Sequence, residues 1–418
     1  MRIAVIGAGV AGMTTAWALA ADGHEVTVFE QSPGVAEQAS FMGLGLMGPA
    51  STALFELTSP QWPRLGRLGL SLQAPWLWHP AAQRWLRQSR RSRMGPQQAA
   101  LQALRVALAQ DAIEQVDALV HQTRLPLESQ TGTLVLWRPP QGPQSTHAPT
   151  LDTDRLKAMG LTGRPLSVEA TRALEPGLSE DTECGAVWHL PDERCINGRQ
   201  WLLALKAHLA KNGVRFAMRQ RVVRLEGGHP VRLTVRDESQ TEPGALSFDQ
   251  VVVASGAGAA LAGLPTSGLL QLDHVSVSAP LREPLCAPNA VVIDAERRMS
   301  FVRSGSRIKA SCTAPLWPDQ KDTGVLRSLF LALNEWFPGA AHHQGPGACV
   351  QTWRARCAHT PDGLPLAGPS GQPGIWLNTG YGTTGWSLAP AVAVDLANRL
   401  AGRAGRHNTD ALSPLRLR

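Results

Sequence analysis

The 418-residue sequence predicts an α/β fold in which a domain built on a parallel sheet is interrupted by an α+β domain with a mainly antiparallel sheet. Three observations predict it. Residues 2–30, RIAVIGAGVAGMTTAWALAADGHEVTVFE, read as strand, glycine turn, helix and strand; residues 214–312 carry short alternating strands at hairpin spacing; and a second glycine run, GYGTTG at 380–385, separates a strand-like stretch from a helix-like one.

The first unit justifies itself residue by residue. Ile3 to Ile6 is apolar without alternation, as in a strand buried on both faces. Gly7 permits a tight turn, Gly9 lets the backbone approach a pyrophosphate, and Gly12 lets helix pack on strand. The helix N-terminus then offers N–H groups and a positive dipole end to phosphate. Gly23 closes the helix, and Glu25 to Phe29 makes a second strand ending at Glu30, 18 residues beyond Gly12. A carboxylate there accepts from a ribose diol and repels a 2′-phosphate, which disfavours NADP. A nicotinamide enzyme would continue in regular β-α alternation. Here EQASFMGLGLMGPAS (37–51) follows instead, a small-residue stretch suited to an extended cofactor such as FAD.

Next comes a segment without acids. From Leu57 to Gln110 eight arginines (64, 67, 84, 87, 90, 91, 93 and 105) interleave with Trp62, Trp76, Trp78 and Trp85. Arginine mixed with tryptophan suits an anionic membrane surface, so 62–93 raises a peripheral contact at the inner face of the cytoplasmic membrane. The plainer alternative is a solvated basic face with tryptophans packed beneath it. Nucleic acid is disfavoured, because no recognition motif accompanies the charge.

Residues 97–121 read as an amphipathic helix, 132–137 as a strand, 138–150 as a Pro/Gly/Ser-rich loop, 185–190 as a strand and 198–213 as a helix closed by glycine. The run 214–226 and then 231–237 alternate as strands, and FDQVVVASGAG (248–258) is a buried strand entering glycines. At the far end GIWLNT (374–379) leads through GYGTTG into a helix over 386–402. No acid-bearing strand follows, so a second nucleotide unit is not expected, and that helix is aimed at something else.

Composition bounds the rest. Hydrophobic residues make up 43% and charged residues 17%, values of a soluble globular chain rather than a disordered one. The six cysteines form no C-x-x-C pair, and the histidines include His342-His343 but no H-E-x-x-H, so neither a disulfide scaffold nor a metal site is expected and a reducing, cytoplasmic setting is. Arg2 and ALAA (18–21) imitate a secretory signal, but three glycines break the apolar stretch and a strand follows on schedule. No run of 18 apolar residues suggests a membrane span.

GAGVAG…EVTVFE, LPDERCINGRQWLLALKAHLAKNGVRF, VVVASGAG, HTPDGLPLAG and WLNTGYGTTGWSLAP stand in the order and spacing of the FAD-dependent amine oxidoreductases that include D-amino-acid oxidase and dehydrogenase, glycine oxidase and sarcosine oxidase. The chain resembles the bacterial D-amino-acid dehydrogenases most, nearly end to end. The resemblance implies a glutathione-reductase-like FAD-binding Rossmann domain over 1–50, 196–264 and 346–418, with a substrate domain over 51–195 and 265–345. It implies that Gly7, Gly9, Gly12, Glu30, Gln31, Ser40, Val222, Gly256, Gly380, Tyr381, Gly382, Thr383, Thr384 and Gly385 line FAD. The first glycine turn would then hold the diphosphate and the second would face the redox ring.

Implied too is a small-molecule amine or amino-acid substrate, oxidised by hydride transfer to flavin N5 to give an imine, then a keto product and ammonia, with electrons passing to a quinone, another carrier or oxygen. Tyr381, Arg356, Cys357 and His359 are the candidate catalytic positions. The family places an arginine in a G-L-R-P stretch on the substrate carboxylate. Here the stretch is Ala355-Arg356-Cys357-Ala358, with Cys357 in the arginine's place. In a strand Arg354 and Arg356 share one face and Cys357 takes the other, so Arg356 substitutes only if a bulge shifts the register. A family K-G pair is replaced by Asp273-His274, an expected asparagine is Gly43, and Tyr381 is the only tyrosine. These departures keep two alternatives open: an oxygen-using oxidase of amines lacking a free carboxylate, and a flavin-binding protein without amine turnover. Covalent flavin attachment at Cys357, as in sarcosine oxidases, is a further alternative, but the residue lies nearer Thr360 than that pattern expects, and a packed thiol is the simpler reading. For His359 the simpler reading is a satisfied histidine beside the ring rather than a proton shuttle.

Overall fold

The computed structural model describes residues 1–54, 79–93, 97–138, 153–182, 184–237, 243–259, 268–312, 321–342 and 349–417. Along the chain, the elements that position the site are strand β1 (Arg2–Ile6), helix α1 (Val10–Ala21), strand β2 (Glu25–Glu30), the single turn α2 (Ala39–Met42) and helices α3 (Pro80–Arg93) and α4 (Gln97–Thr123). Strands β3 (Leu270–Pro280), β4 (Met299–Ser304) and β5 (Arg307–Cys312), helix α5 (Thr323–Trp336), strand β6 (Gln351–His359) and helix α6 (Gly385–Leu400) complete the set.

β1 is central in a six-stranded sheet, with β2 on one side and Gln250–Val253 on the other, both parallel to it. Arg215–Met218 extends the sheet beyond β2, Ile375–Thr379 extends it beyond Gln250–Val253, and Leu366–Pro369 closes that edge antiparallel. The apolar run of β1 has a cause on each face. Ile3 and Val5 pack into a core shared with α1, α4 and α6, while Ala4 and Ile6 face Val222, Leu233 and Phe248 of a three-stranded antiparallel sheet. Burial on both faces removes any polar alternation.

The run 214–226, read above as continuous alternation, is two strands. Arg215–Met218 belongs to the parallel sheet and Gln220–Glu226 opens the antiparallel one, with Arg219 at φ +59° between them. Apolar and polar residues mix on both sides of Arg219, so composition carries no mark of a break that depends on one residue in the left-handed region.

The second large sheet has nine strands, antiparallel except where Val291–Asp294 pairs in parallel with Ser129–Trp137. One face of β3, β4 and β5 presents Val275, Val277, Phe301, Ile308 and Ala310 to Leu329, Leu333 and Trp336 of α5. The opposite face carries His274, Ser276, Ser278, Ser300, Lys309 and Ser311, by the strict alternation of paired strands. The two regions interlock: α4 lends Leu108, Ala112, Val116 and Leu119 to the core of the parallel sheet, and β6 pairs with β3 in the nine-stranded one.

Candidate active site

At the first glycine turn each glycine has a neighbour that excludes a side chain. Gly7 holds φ +108°, and a Cβ there would stand 2.7 Å from the Ala254 carbonyl oxygen. On Gly12 a Cβ would fall 1.9 Å from the Gly7 oxygen, and on Gly9 it would meet Ser40 Oγ at 2.9 Å. Ser40 Oγ accepts the Val10 N–H at 2.9 Å, which fixes α2 against the start of α1. Glu30 accepts the Ala8 N–H through Oε2 at 2.7 Å and the Ser32 N–H through Oε1 at 2.8 Å, so the carboxylate ties the end of β2 to the turn. Among the described residues the amides of Gly9, Ala11 and Gly12 take no protein acceptor. A glycine cradle with unpaired amides at a helix N-terminus, beside a fixed carboxylate, fits the diphosphate and ribose of a dinucleotide.

The second turn is folded onto the first. A Cβ on Gly385 would meet Val10 Cγ1 at 3.4 Å, and Asn378 Nδ2 donates to Thr15 Oγ1 of α1 at 2.8 Å. Thr15 in turn donates to the Ala11 carbonyl at 2.7 Å. The Tyr381 hydroxyl donates to Asn378 Oδ1, and burial holds its pKa well above the ordinary phenol value. Gly380 and Gly382 sit at φ +83° and +54°, and a Cβ on Gly382 would strike His359 Nδ1 at 2.4 Å. Thr384 Oγ1 donates back to the Tyr381 carbonyl at 2.8 Å, leaving α6 to point its N-terminus past Gly385. Thr379 Oγ1 donates to the Gly256 carbonyl at 2.9 Å. Two predicted contacts are less direct: the Val222 side chain is packed in the apolar core, and Gln31 is exposed just beyond β2.

Facing these turns is the end of β6. Nine consecutive pairs from Leu270↔His359 to Ser278↔Gln351 join β3 and β6 with no register shift. Because no bulge intervenes, Cys357 and His359 share one face, and Arg354 and Arg356 take the other. There Asp273 holds both arginines: Oδ2 accepts from Arg354 Nη2 at 2.9 Å, and Oδ1 accepts from Arg356 Nε at 3.2 Å. Arg356 is therefore not brought together with Cys357. Cys357 is buried against Met42 and Ala355, and burial, then the nearby Asp273 carboxylate, push its thiol up to about 12.

His359 pairs with a residue that sequence reading noted only as a departure. Its Nε2 lies 2.8 Å from His274 Nε2, with ring centroids 5.0 Å apart. Burial lowers His274 to about 4, and burial followed by the His274 ring lowers His359 well below the imidazole range. Both rings are neutral at pH 7, one donating and the other accepting. The signal was the adjacency Asp273-His274, but only the pairing of β3 with β6 reveals that Asp273 meets the arginines while His274 meets His359.

The basic segment enters here through α3. Ala82, Trp85 and Ser89 face inward, and Trp85 Nε1 donates to the His359 carbonyl at 2.9 Å; Arg84, Arg87, Arg90 and Arg91 face outward. Over this helix the arginines form a basic face above a packed indole. Trp62, Trp76, Trp78, Arg64 and Arg67 lie outside the described residues, as do the loop 139–150 and His343. No helix among the described residues is long and apolar enough to cross a membrane.

A family model described as FAD dependent oxidoreductase matches residues 2–399. The D-amino acid dehydrogenase of Cereibacter sphaeroides is 32% identical over 426 residues, covering 97% of this chain and 92% of that protein. That of Agrobacterium fabrum is 28% identical over 423 residues, covering 96% of each. Among solved structures, glycine oxidase from Geobacillus kaustophilus shares the fold with a TM-score of 0.68 at 20% identity, covering 99% of both chains.

Proposed function

The chain belongs to the FAD dependent oxidoreductase family, and from that premise we propose that it oxidises amino acids of the D series, or closely related amines, by removing hydride from the carbon that bears nitrogen. The observation that carries this reading is the contact between the two glycine turns, with Gly385 against Val10 and Asn378 bonded to Thr15. One turn offers amides to a diphosphate while the other aims the N-terminus of α6 at the neighbouring space, where a helix dipole favours developing negative charge. When bound, FAD supplies the two-electron acceptor.

The protein's own part is placement and exclusion. The neutral His274–His359 pair puts no cation beside the substrate nitrogen, which favours the unprotonated amine that must lose hydride. Trp85 of α3 packs on Leu270 and Leu272, on the face of β3 that carries His274, and Met42 with Cys357 presents an apolar wall that keeps water from the reacting carbon. No dedicated base is needed, and the resulting imine hydrolyses to a keto product and ammonia.

The test is an anaerobic flavin-bleaching screen of the purified, FAD-loaded protein with D- and L-amino acids, N-methyl amines and decarboxylated amines. Bleaching by D-amino acids is expected, and a flavin that no amine or amino acid bleaches would leave only a binding protein. The placement of Arg356 away from Cys357 favours a second reading, an oxidase of carboxylate-free amines. Peroxide formed without an added acceptor identifies that reading, whereas reduction of a quinone or other carrier identifies a dehydrogenase. The outward arginines of α3 support docking at an anionic membrane, which co-flotation with anionic vesicles tests.

A further inference from the structure

We propose that Lys309 anchors the substrate carboxylate, taking the part that neither Arg356 nor Cys357 can play. This deepens the amine-oxidising reading above and rests on it. The face of the nine-stranded sheet that carries Cys357 and His359 holds a row of hydroxyls, because Ser311 pairs with Ser276 on one side and with Ser300 on the other. Lys309 is the next residue on that face of β5, cross-strand from Ser278. The row faces α2: Ser311 Oγ lies 3.9 Å from Met42 Sδ, and Lys309 Nζ lies 4.8 Å from the Phe41 ring centroid. Phe41 immediately follows Ser40, the residue bonded to the first glycine turn.

The cations nearby are otherwise engaged or placed. Arg307 donates to Ser278 Oγ, the Ser278 carbonyl and the Cys349 carbonyl, each at 2.8 Å. Arg199 reaches the same Phe41 ring at 5.2 Å, but from the exposed surface. Among the described residues Lys309 makes no side-chain hydrogen bond or salt bridge; the Phe41 ring lies against it, and the Cys195 thiol and the Glu128 carboxylate act on it without a direct ion pair. Burial lowers its pKa, Arg307 and Arg199 add to the depression, and Cys195 and Glu128 only partly oppose it. A half-buried ammonium beside serine hydroxyls, with no carboxylate in salt-bridge contact, can donate to one oxygen of a substrate carboxylate while the hydroxyls donate to the other.

The experiment uses FAD-loaded wild type, Lys309→Met and Lys309→Arg, with melting temperature and flavin content confirming that each variant folds. Benzoate is titrated against the visible flavin spectrum, and kcat/KM is measured for the best amino acid and for its decarboxylated amine. Lys309→Met is expected to weaken benzoate binding and amino-acid kcat/KM by roughly 10–100-fold, the range of one charge-assisted bond. Lys309→Arg should recover most of both, and the decarboxylated amine should change by less than about threefold. Equal losses for amino acid and amine, or no loss for either, would overturn the assignment, as would wild type that does not bind benzoate. If no amine or amino acid bleaches the wild-type flavin, the oxidation reading fails on its own, because the benzoate titration still reports the anion site.

Discussion

His274 Nε2 and His359 Nε2 meet at 2.8 Å across β3 and β6, a hydrogen bond between two buried rings that both titrate below the ordinary imidazole range. A depressed histidine pKa means that the unfolded chain binds protons the folded one refuses. Stability from this pair is complete above about 6.5 and is lost as pH falls toward about 4. Glu175 and Glu193, raised to about 7 by burial, act with the opposite sign, since their folded forms hold protons that the unfolded chain releases as pH rises above its ordinary carboxyl range. The pair is therefore isolated by difference. His274→Gln should lose less melting temperature than wild type between pH 7 and pH 5, and parallel losses would remove the pair from the acid limb.

The two glycines of the first turn should fail differently. Gly12→Ala places a methyl 1.9 Å from the backbone oxygen of Gly7, which has nowhere to retreat, so loss of soluble folded protein is expected. Gly9→Ala meets only Ser40 Oγ at 2.9 Å, so the hydroxyl moves, the Val10 amide loses its acceptor, and stability falls by about 1 kcal/mol. The larger effect should be weaker retention of FAD, read as flavin lost on gel filtration.

Cys357 should behave as a packed thiol. Its pKa near 12 leaves almost no thiolate at neutral pH, and thiolate is the form that alkylates or attacks a ring carbon. Iodoacetamide should modify the exposed Cys349 and spare Cys357 in folded protein, as mass spectrometry of peptides would show. Acid precipitation should leave the yellow colour in the supernatant. Flavin retained in the pellet would point to a covalent bond.

Tyr381, Asn378 and Thr15 form a buried chain ending on α1. Tyr381→Phe removes one terminal donor and should cost about 1 kcal/mol. Asn378→Ala leaves the Tyr381 hydroxyl without its acceptor, while Thr15 keeps the Ala11 carbonyl, and should cost about 1–3 kcal/mol, with the FAD-loaded melting temperature as the measure.

These residues also mark what sequence could and could not reveal. The unit from Arg2 to Glu30 is readable because the β1–β2 pairing and the Gly12–Gly7 contact lie within the same stretch, although Gly7 and Gly9 also answer to the distant Ala254 and Ser40. The second turn was readable as strand, glycines and helix, and its role came through resemblance. The partners of Arg356 were not readable. Alternation placed it opposite Cys357, but Asp273 lies 83 residues away and enters only through the β3–β6 register. Lys309 is not legible either, because RIKASC reads as an ordinary half-polar strand and Phe41 belongs to a distant turn. The break at Arg219 depends on one residue's backbone angle, which the mixed apolar and polar residues on either side do not mark.

β1 leaves the ribosome about 250 residues before its neighbour Gln250–Val253, and the Asn378 amide that clasps α1 follows later still. On the ribosome the phosphate cradle therefore exists without its floor or its clasp. Capture of the yellow cofactor must await the emergence of Asn378, and nascent chains arrested before that residue should be colourless and open to proteases at α1.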